Sequence, residues 1–150
     1  MKTYISHKRA KFDFEILETI EAGISLLGTE VKSIRSGQGK LEGGHVIVRG
    51  GEAFLVGASI PAFQKKNVSS EYDPERPRKL LLTQKELALI EQKSEKQGLT
   101  VVPIKCYNKG KNIKLEIGIA RGKKKADKRQ SIKEKDTKRD VERELKMKYK

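Results

Sequence analysis

Residues 12–26 alternate. Phe12, Phe14, Ile16, Ile20, Ala22, Ile24 and Leu26 fall on even positions, with Asp13, Glu15, Thr19, Glu21 and Ser25 between them. A period of two predicts a long, half-buried strand, bent near Glu18 or Gly23 and carrying Glu21 outward. Residues 28–37 then read as a short helix. Thr29 caps it, Glu30 lies in its positive first turn, and Gly37 ends it in a left-handed conformation. Leu27, Val31 and Ile34 share the face that plugs the sheet, while Lys32 and Arg35 point away, where phosphate is a fitting partner.

Two apolar runs, residues 45–49 and 52–59, flank Gly50-Gly51 and predict a hairpin. Residues 61–79 hold Pro61, Pro74 and Pro77 and read as a long loop, a frequent form of binding element. A helix starts at Thr83, with Glu86 completing a capping box, Leu82 stapling onto Leu87, Ile90 inward and Gly98 as the stop. Ahead of it stand Arg78 and Lys79 beside Leu80, Leu81 and Leu82, where one exposed leucine would offer a stacking surface. Residues 99–107 and 112–120 form two strands about a turn at 108–111. Ile113, Leu115, Ile117 and Ile119 face one way, Lys114 and Glu116 the other. Cys106 shares the parity of Ile104 and is expected in the core; Pro103 marks an edge or a bulge. Five strands with a capping helix predict a mainly β, α+β domain over residues 1–120. The expected form is a small closed antiparallel barrel of the oligonucleotide-binding type.

Charge changes the picture. The 150 residues carry a net +14, with a pI near 9.9, which points to a polyanion, nucleic acid before membrane. Residues 121–150 hold 14 Lys and Arg against 6 Asp and Glu, so +8 of that charge lies in a basic tail too poor in apolar residues to build a core. Glu134–Lys138, Glu142–Lys146 and Glu144–Lys148 are i,i+4 pairs, and Val141, Leu145 and Tyr149 form a thin apolar stripe. Such a tail is expected to be disordered alone and helical on an anionic partner. The basic start, Lys8 and Arg9 included, suits an RNA contact.

The chemistry of catalysis is missing. There is no Walker-type loop, no His/Cys pairing and no nucleophile elbow, so the expectation is a non-enzyme without cofactor. One Cys and two His argue against a protein-only zinc site and an internal disulfide. No apolar stretch reaches spanning length and no apolar leader opens the chain, so a cytoplasmic, monomeric RNA-binding module is expected.

Read in order, several segments are shared with a known family. They are Lys8-Arg9-Ala10, Glu21-Ala22-Gly23, Gly28-Thr29-Glu30-Val31-Lys32-Ser33-Ile34-Arg35, Gly51-Glu52-Ala53, Arg78-Lys79-Leu80-Leu81-Leu82, Gly98-Leu99-Thr100-Val101-Val102-Pro103 and Ala120-Arg121-Gly122-Lys123-Lys124 with Asp127-Lys128-Arg129. This ordered set resembles the SsrA-binding protein (small protein B) family of bacterial trans-translation. The resemblance implies a protein that grips the tRNA-like domain of transfer-messenger RNA and delivers it to stalled ribosomes. The elongation factor that carries aminoacyl-tRNA would be a partner in that delivery. Glu21, Leu81 and Lys114 match family residues implicated in holding the RNA. Tail contacts with the decoding centre and mRNA channel would fall on Lys123, Lys124, Lys125, Asp127, Lys128 and Arg129. The chain departs from common family residues at His7, often Asn, at Ala126, often aromatic or His, and at Phe12 and Phe14, where His and Tyr are common. A ribosomal or ribosome-assembly RNA-binding protein is the alternative, but it has no reason to carry the ordered set. A membrane-surface or nucleic-acid-condensing polycation would show no structural selectivity.

Overall fold

The structure, a computed structural model, describes residues 2–63 and 71–122. The tail residues Lys123, Lys124, Lys125, Asp127, Lys128 and Arg129 lie outside the described residues, as does Ala126.

Seven strands form one antiparallel sheet among the described residues: β1 (Thr3–Ser6), β2 (Phe14–Ile24), β3 (His45–Arg49), β4 (Glu52–Val56), β5 (Arg78–Leu81), β6 (Thr100–Lys109) and β7 (Asn112–Gly122). Three short helices accompany them: α1 (Ala10–Asp13), α2 (Gly28–Arg35) and α3 (Gln84–Glu91), the last extended by a π-helical turn, Gln92–Lys96. Strand order is β1-β6-β7-β2-β5-β4-β3. The expected five strands are all present. The two extra ones, β1 and β5, are four residues each, too short to show a period. The hydrogen-bonded ladder does not close into a barrel, since β1 and β3 end it on either side. The sheet nonetheless coils far enough for β3 to pack against β6.

Local chemistry sets the turns. Gly50 and Gly51 both take positive φ (62° and 75°), as a two-residue hairpin loop with the sheet's own twist requires. Gly37 (φ 81°) ends α2: Gln38 N–H donates to the Ser33 carbonyl and Gly37 N–H to that of Ile34, a Schellman pair. Thr83 Oγ1 accepts from Glu86 N–H (3.2 Å), and Glu86 accepts from Thr83 N–H (2.9 Å), so the expected capping box is formed. Thr29, by contrast, does not cap α2. Its hydroxyl is bonded with the backbone of Phe63, and Leu27, expected inward, is 47% exposed.

Two bulges divide the sheet's faces. In β2 the register slips between Ile16 and Glu18, and in β6 between Pro103 and Lys105. Each extra residue reverses the parity that follows. Ile20 and Ala22 therefore join the core with Leu115, Ile117 and Ile119, whereas Ile16 and Ile104 pack over Gly118 on the other side. A methyl group at Gly118 would come within 2.8 Å of Ile104. Cys106 is buried in the core as expected, but Ile104 is not its companion there; the bulge separates them. Burial pushes the Cys106 thiol up to about 12, so it is an inert packing group. Ile34 of α2 and Ile90 of α3, both fully buried, complete the core.

Candidate nucleic-acid interface

On the sheet face away from the core, one row of paired residues crosses four strands. Gly23 of β2 stands opposite Leu81 of β5 on one side and Lys114 of β7 on the other, and Lys114 stands opposite Tyr107 of β6. Gly23 has no side chain, which leaves a gap between Leu81 and Lys114 about two strand spacings wide, ~9–10 Å. Leu81 leans into this gap: a Cβ on Gly23 would sit 3.0 Å from the Leu81 Cβ. The result is a cleft of about 320 Å³ lined by Gly23, Leu81, Lys114, Arg35 and Lys111, with Val31 and Ile113 beneath. Arg35 is pinned there by donating from Nη2 to the Lys111 carbonyl (3.1 Å). Leu81 is 59% exposed, an apolar shelf beside cations.

Beside the cleft, two residues back along β2, stands Glu21. Tyr107 donates its phenol proton to Glu21 Oε2 (2.6 Å), and Lys109 Nζ donates to Oε1 (3.0 Å). The Tyr107 hydrogen bond, then that of Lys109, hold the Glu21 carboxyl below the usual carboxylate range. Burial and the neighbouring Glu21 push the Tyr107 phenol well above its usual range, so it stays a donor. Lys105 lies with its ammonium 5.6 Å from the centre of the Tyr107 ring. The face thus presents Arg35, Lys105, Lys109, Lys111 and Lys114 together with two carboxylates, the clamped Glu21 and Glu116 opposite it on β7, and has Leu81 as its apolar contact.

Three expected site residues, Arg35, Leu81 and Lys114, line the cleft, and a fourth, Glu21, stands two residues along β2 from Gly23, close enough for Lys114 to act on its charge. Lys79 lies on the same face of β5 as Leu81, paired to Glu52 at 2.9 Å and still about half exposed. Lys32 is exposed on α2 but does not line the cleft.

Arg78 is a correction. It begins a strand rather than closing a loop, and it is fully buried, donating to Glu30, to the Ala58 carbonyl and to the Pro74 carbonyl. A guanidinium buried in this way presents no donor at the surface for a ligand. Glu30 is its counterpart: it lies in the first turn of α2 as expected and is fully buried there, accepting from Leu27 N–H, Tyr72, Arg76 and Arg78. Burial pushes the Glu30 carboxyl up, but Arg76, Leu27 N–H and Arg78 outweigh it and leave it below its ordinary value.

Lys8 and Arg9 lie elsewhere. Lys8 lines a second cleft with Tyr4, Lys40 and Glu42, its N–H donating to Glu42 (3.2 Å). Arg9 lies over the Phe12 ring at 4.7 Å and reaches Asp13 at 3.9 Å. His7, next to them, is buried with Nδ1 3.1 Å from the Pro103 carbonyl and packs edge-on against Phe14. Sequence reasoning missed Tyr107, Lys109 and Lys111. The parity that buries Cys106 turns Tyr107 outward, but only the pairing of β6 with β7 and of β7 with β2 sets it beside Glu21, and the lysines sit in what reads as a plain turn.

An open sheet face with an apolar shelf, a ring of cations and one clamped carboxylate defines a class: a binding protein for a structured polyanion. The comparisons are specific within that class, and the chain belongs to the SmpB family, whose model, described as "SmpB protein", matches residues 4–147. The SsrA-binding protein of Thermosynechococcus vestitus is 46% identical over 146 residues, covering 97% of this chain and 96% of that protein. That of Prochlorococcus marinus strain MIT 9515 is 50% identical over 147 residues, covering 97% and 88%. A solved structure described as "tmRNA-SmpB: a journey to the center of the bacterial ribosome" matches with a TM-score of 0.65. It is 41% identical, with 85% of this chain and 92% of that one covered.

Proposed function

We infer that this protein binds transfer-messenger RNA and acts with it on the ribosome in trans-translation, as an RNA-binding protein rather than an enzyme. The observation that carries the reading is the family match across nearly the whole chain, together with a related structure that joins tmRNA and SmpB with the ribosome. The cleft face is the proposed grip on the tRNA-like domain. Lys114 and Arg35 would meet phosphate, Leu81 would lie against an exposed base or sugar, and Glu21 would accept a hydrogen bond. Lys79 and Lys32 extend the cationic surface on either side, and Lys8 and Arg9 supply a separate basic contact. The coil that brings β3 against β6 supports an oligonucleotide-binding type of architecture whose seam is packed rather than hydrogen-bonded. The tail, with Lys123, Lys124, Lys125, Asp127, Lys128 and Arg129, is assigned to the decoding centre and mRNA channel. Delivery would involve the elongation factor that carries aminoacyl-tRNA, and a monomeric, cytoplasmic protein fits that role.

The test compares binding of the full chain to the tRNA-like domain of transfer-messenger RNA and to an unrelated hairpin of equal length, across a salt titration. Selective binding is expected to persist as salt rises. Equal binding to both RNAs with a steep salt slope would mark a non-specific polycation and overturn the reading. Lys114→Glu should weaken binding to the tRNA-like domain while keeping a normal thermal transition, because Lys114 faces away from the core.

A further inference from the structure

We propose that Tyr107 and Lys109 are positioning residues that fix Glu21 as an acceptor for a hydrogen-bond donor on the RNA, so that this corner of the face selects structure rather than charge. The inference rests on the RNA-binding function proposed above and deepens it.

The Tyr107–Glu21 distance of 2.6 Å lies in the range of a charge-assisted O–H···O⁻ bond. Lys109 takes the other oxygen at 3.0 Å, so each carboxylate oxygen has one fixed donor and keeps acceptor capacity of its own. Tyr107 itself is only 4% exposed, held in the sheet with Lys105 over its ring, whereas the Glu21 side chain remains 36% exposed. An anchored phenol therefore aims an accessible carboxylate. A free glutamate on an open sheet would lose rotamer freedom on binding; here that loss has been taken in folding.

The chemistry of the ligand follows. A phosphate placed at Glu21 would meet its fixed negative charge and that of Glu116 opposite it on β7, while Lys114 and Lys105 stand to the side. A ribose hydroxyl or a base N–H has the donor that the carboxylate lacks. An RNA fits only where it turns such a donor toward Glu21 as its backbone follows the cations. Random polyanion satisfies the lysines and fails at the carboxylate.

The experiment is a double-mutant cycle on the full chain, with Tyr107→Phe, Lys109→Met, Glu21→Gln and the paired variants. Affinity is measured for the tRNA-like domain and for the unrelated hairpin, with the salt slope recorded for each. Tyr107→Phe should weaken binding to the tRNA-like domain by about tenfold, leave the hairpin unchanged and leave the salt slope unchanged, since no phosphate contact is removed. In the Glu21→Gln background it should have little further effect. Additive effects of Tyr107→Phe and Glu21→Gln, or an unchanged affinity, would overturn the clamp while selective wild-type binding still stood. A wild type that does not discriminate between the two RNAs would retire the proposed function and the clamp with it. Should Tyr107→Phe lose its thermal transition, the Lys109→Met arm decides. That side chain is 60% exposed, and its removal must show the same non-additivity with Glu21→Gln for the clamp to survive.

Discussion

Glu30 accepts hydrogen bonds from four residues, and three of them, Tyr72, Arg76 and Arg78, lie 42 to 48 positions away. A carboxylate at 0% exposure between two guanidiniums fastens α2, the segment before β5 and β5 itself to one point. Removing Arg78 leaves buried Glu30 with Arg76 as its one guanidinium partner and strips the Ala58 and Pro74 carbonyls of their buried donor. Arg78→Ala should therefore lower stability by about 3–5 kcal/mol in urea denaturation followed by circular dichroism. The pH dependence has a definite sign. The Glu30 carboxyl lies below its ordinary 4.5 in the folded state, so its stabilisation is present above that value and lost as pH falls through the folded value. Unfolding free energy should decline as pH falls below the ordinary carboxylate value of 4.5, with a shallower decline in Glu30→Gln. An identical slope in both proteins would place the acid sensitivity elsewhere. None of this is legible in the sequence, where Glu30 reads as a helix-start acid. Local spacing shows what a residue's neighbours in the chain can do, and Glu30 answers to residues far along it.

At the scale of elements, the legible features are those set by short-range chemistry. Gly50-Gly51, the Thr83–Glu86 box and Gly37 appear where their turn and cap geometry places them. The alternation of β7 likewise puts Ile113, Leu115 and Ile117 in the core and Lys114 and Glu116 on the open face. What fails is the assumption that one parity runs the length of a strand. The bulges in β2 and β6 each change the face, so that Ile16 and Ile104 leave the core side, and the pairing of β6 with β7 sets Tyr107 opposite Lys114 on the open side. The outward placement of Glu21 and Lys114 was readable because both lie on regular stretches beyond the slips. The gap at Gly23 is likewise a product of pairing, since it exists only because β5, β2 and β7 lie side by side. Gly23→Ala would press a methyl against Leu81 at 3.0 Å and move the shelf. Binding to the tRNA-like domain should fall by about tenfold, with destabilisation of about 1–3 kcal/mol from overpacking. Full affinity in a folded Gly23→Ala protein would mean that the shelf does not touch the RNA.

Across the whole molecule, charge and shape are divided unequally. Residues 1–122 contain the sheet, the clamped carboxylate and the cleft, whereas residues 123–150 carry 13 Lys and Arg against 6 acidic residues, half of the net +14. Recognition of a folded RNA needs fixed geometry, which the sheet face has. Attraction to any phosphate backbone needs only cations, which the tail has in excess. A chain cut after Gly122 should therefore keep its preference for the tRNA-like domain over an unrelated hairpin, and its binding to the hairpin should weaken most at low salt. The same chain should not support tagging of nascent peptides on stalled ribosomes, because the residues assigned to the decoding centre are gone. The two readouts separate the parts: RNA selectivity reports on the sheet, tagging on the tail. Selectivity lost with the tail would move recognition out of the cleft and leave Glu21, Leu81 and Lys114 as surface residues of a scaffold. Tagging retained without the tail would show that holding the RNA is enough, and that the basic residues beyond Gly122 serve only to raise the encounter rate with a polyanionic ribosome.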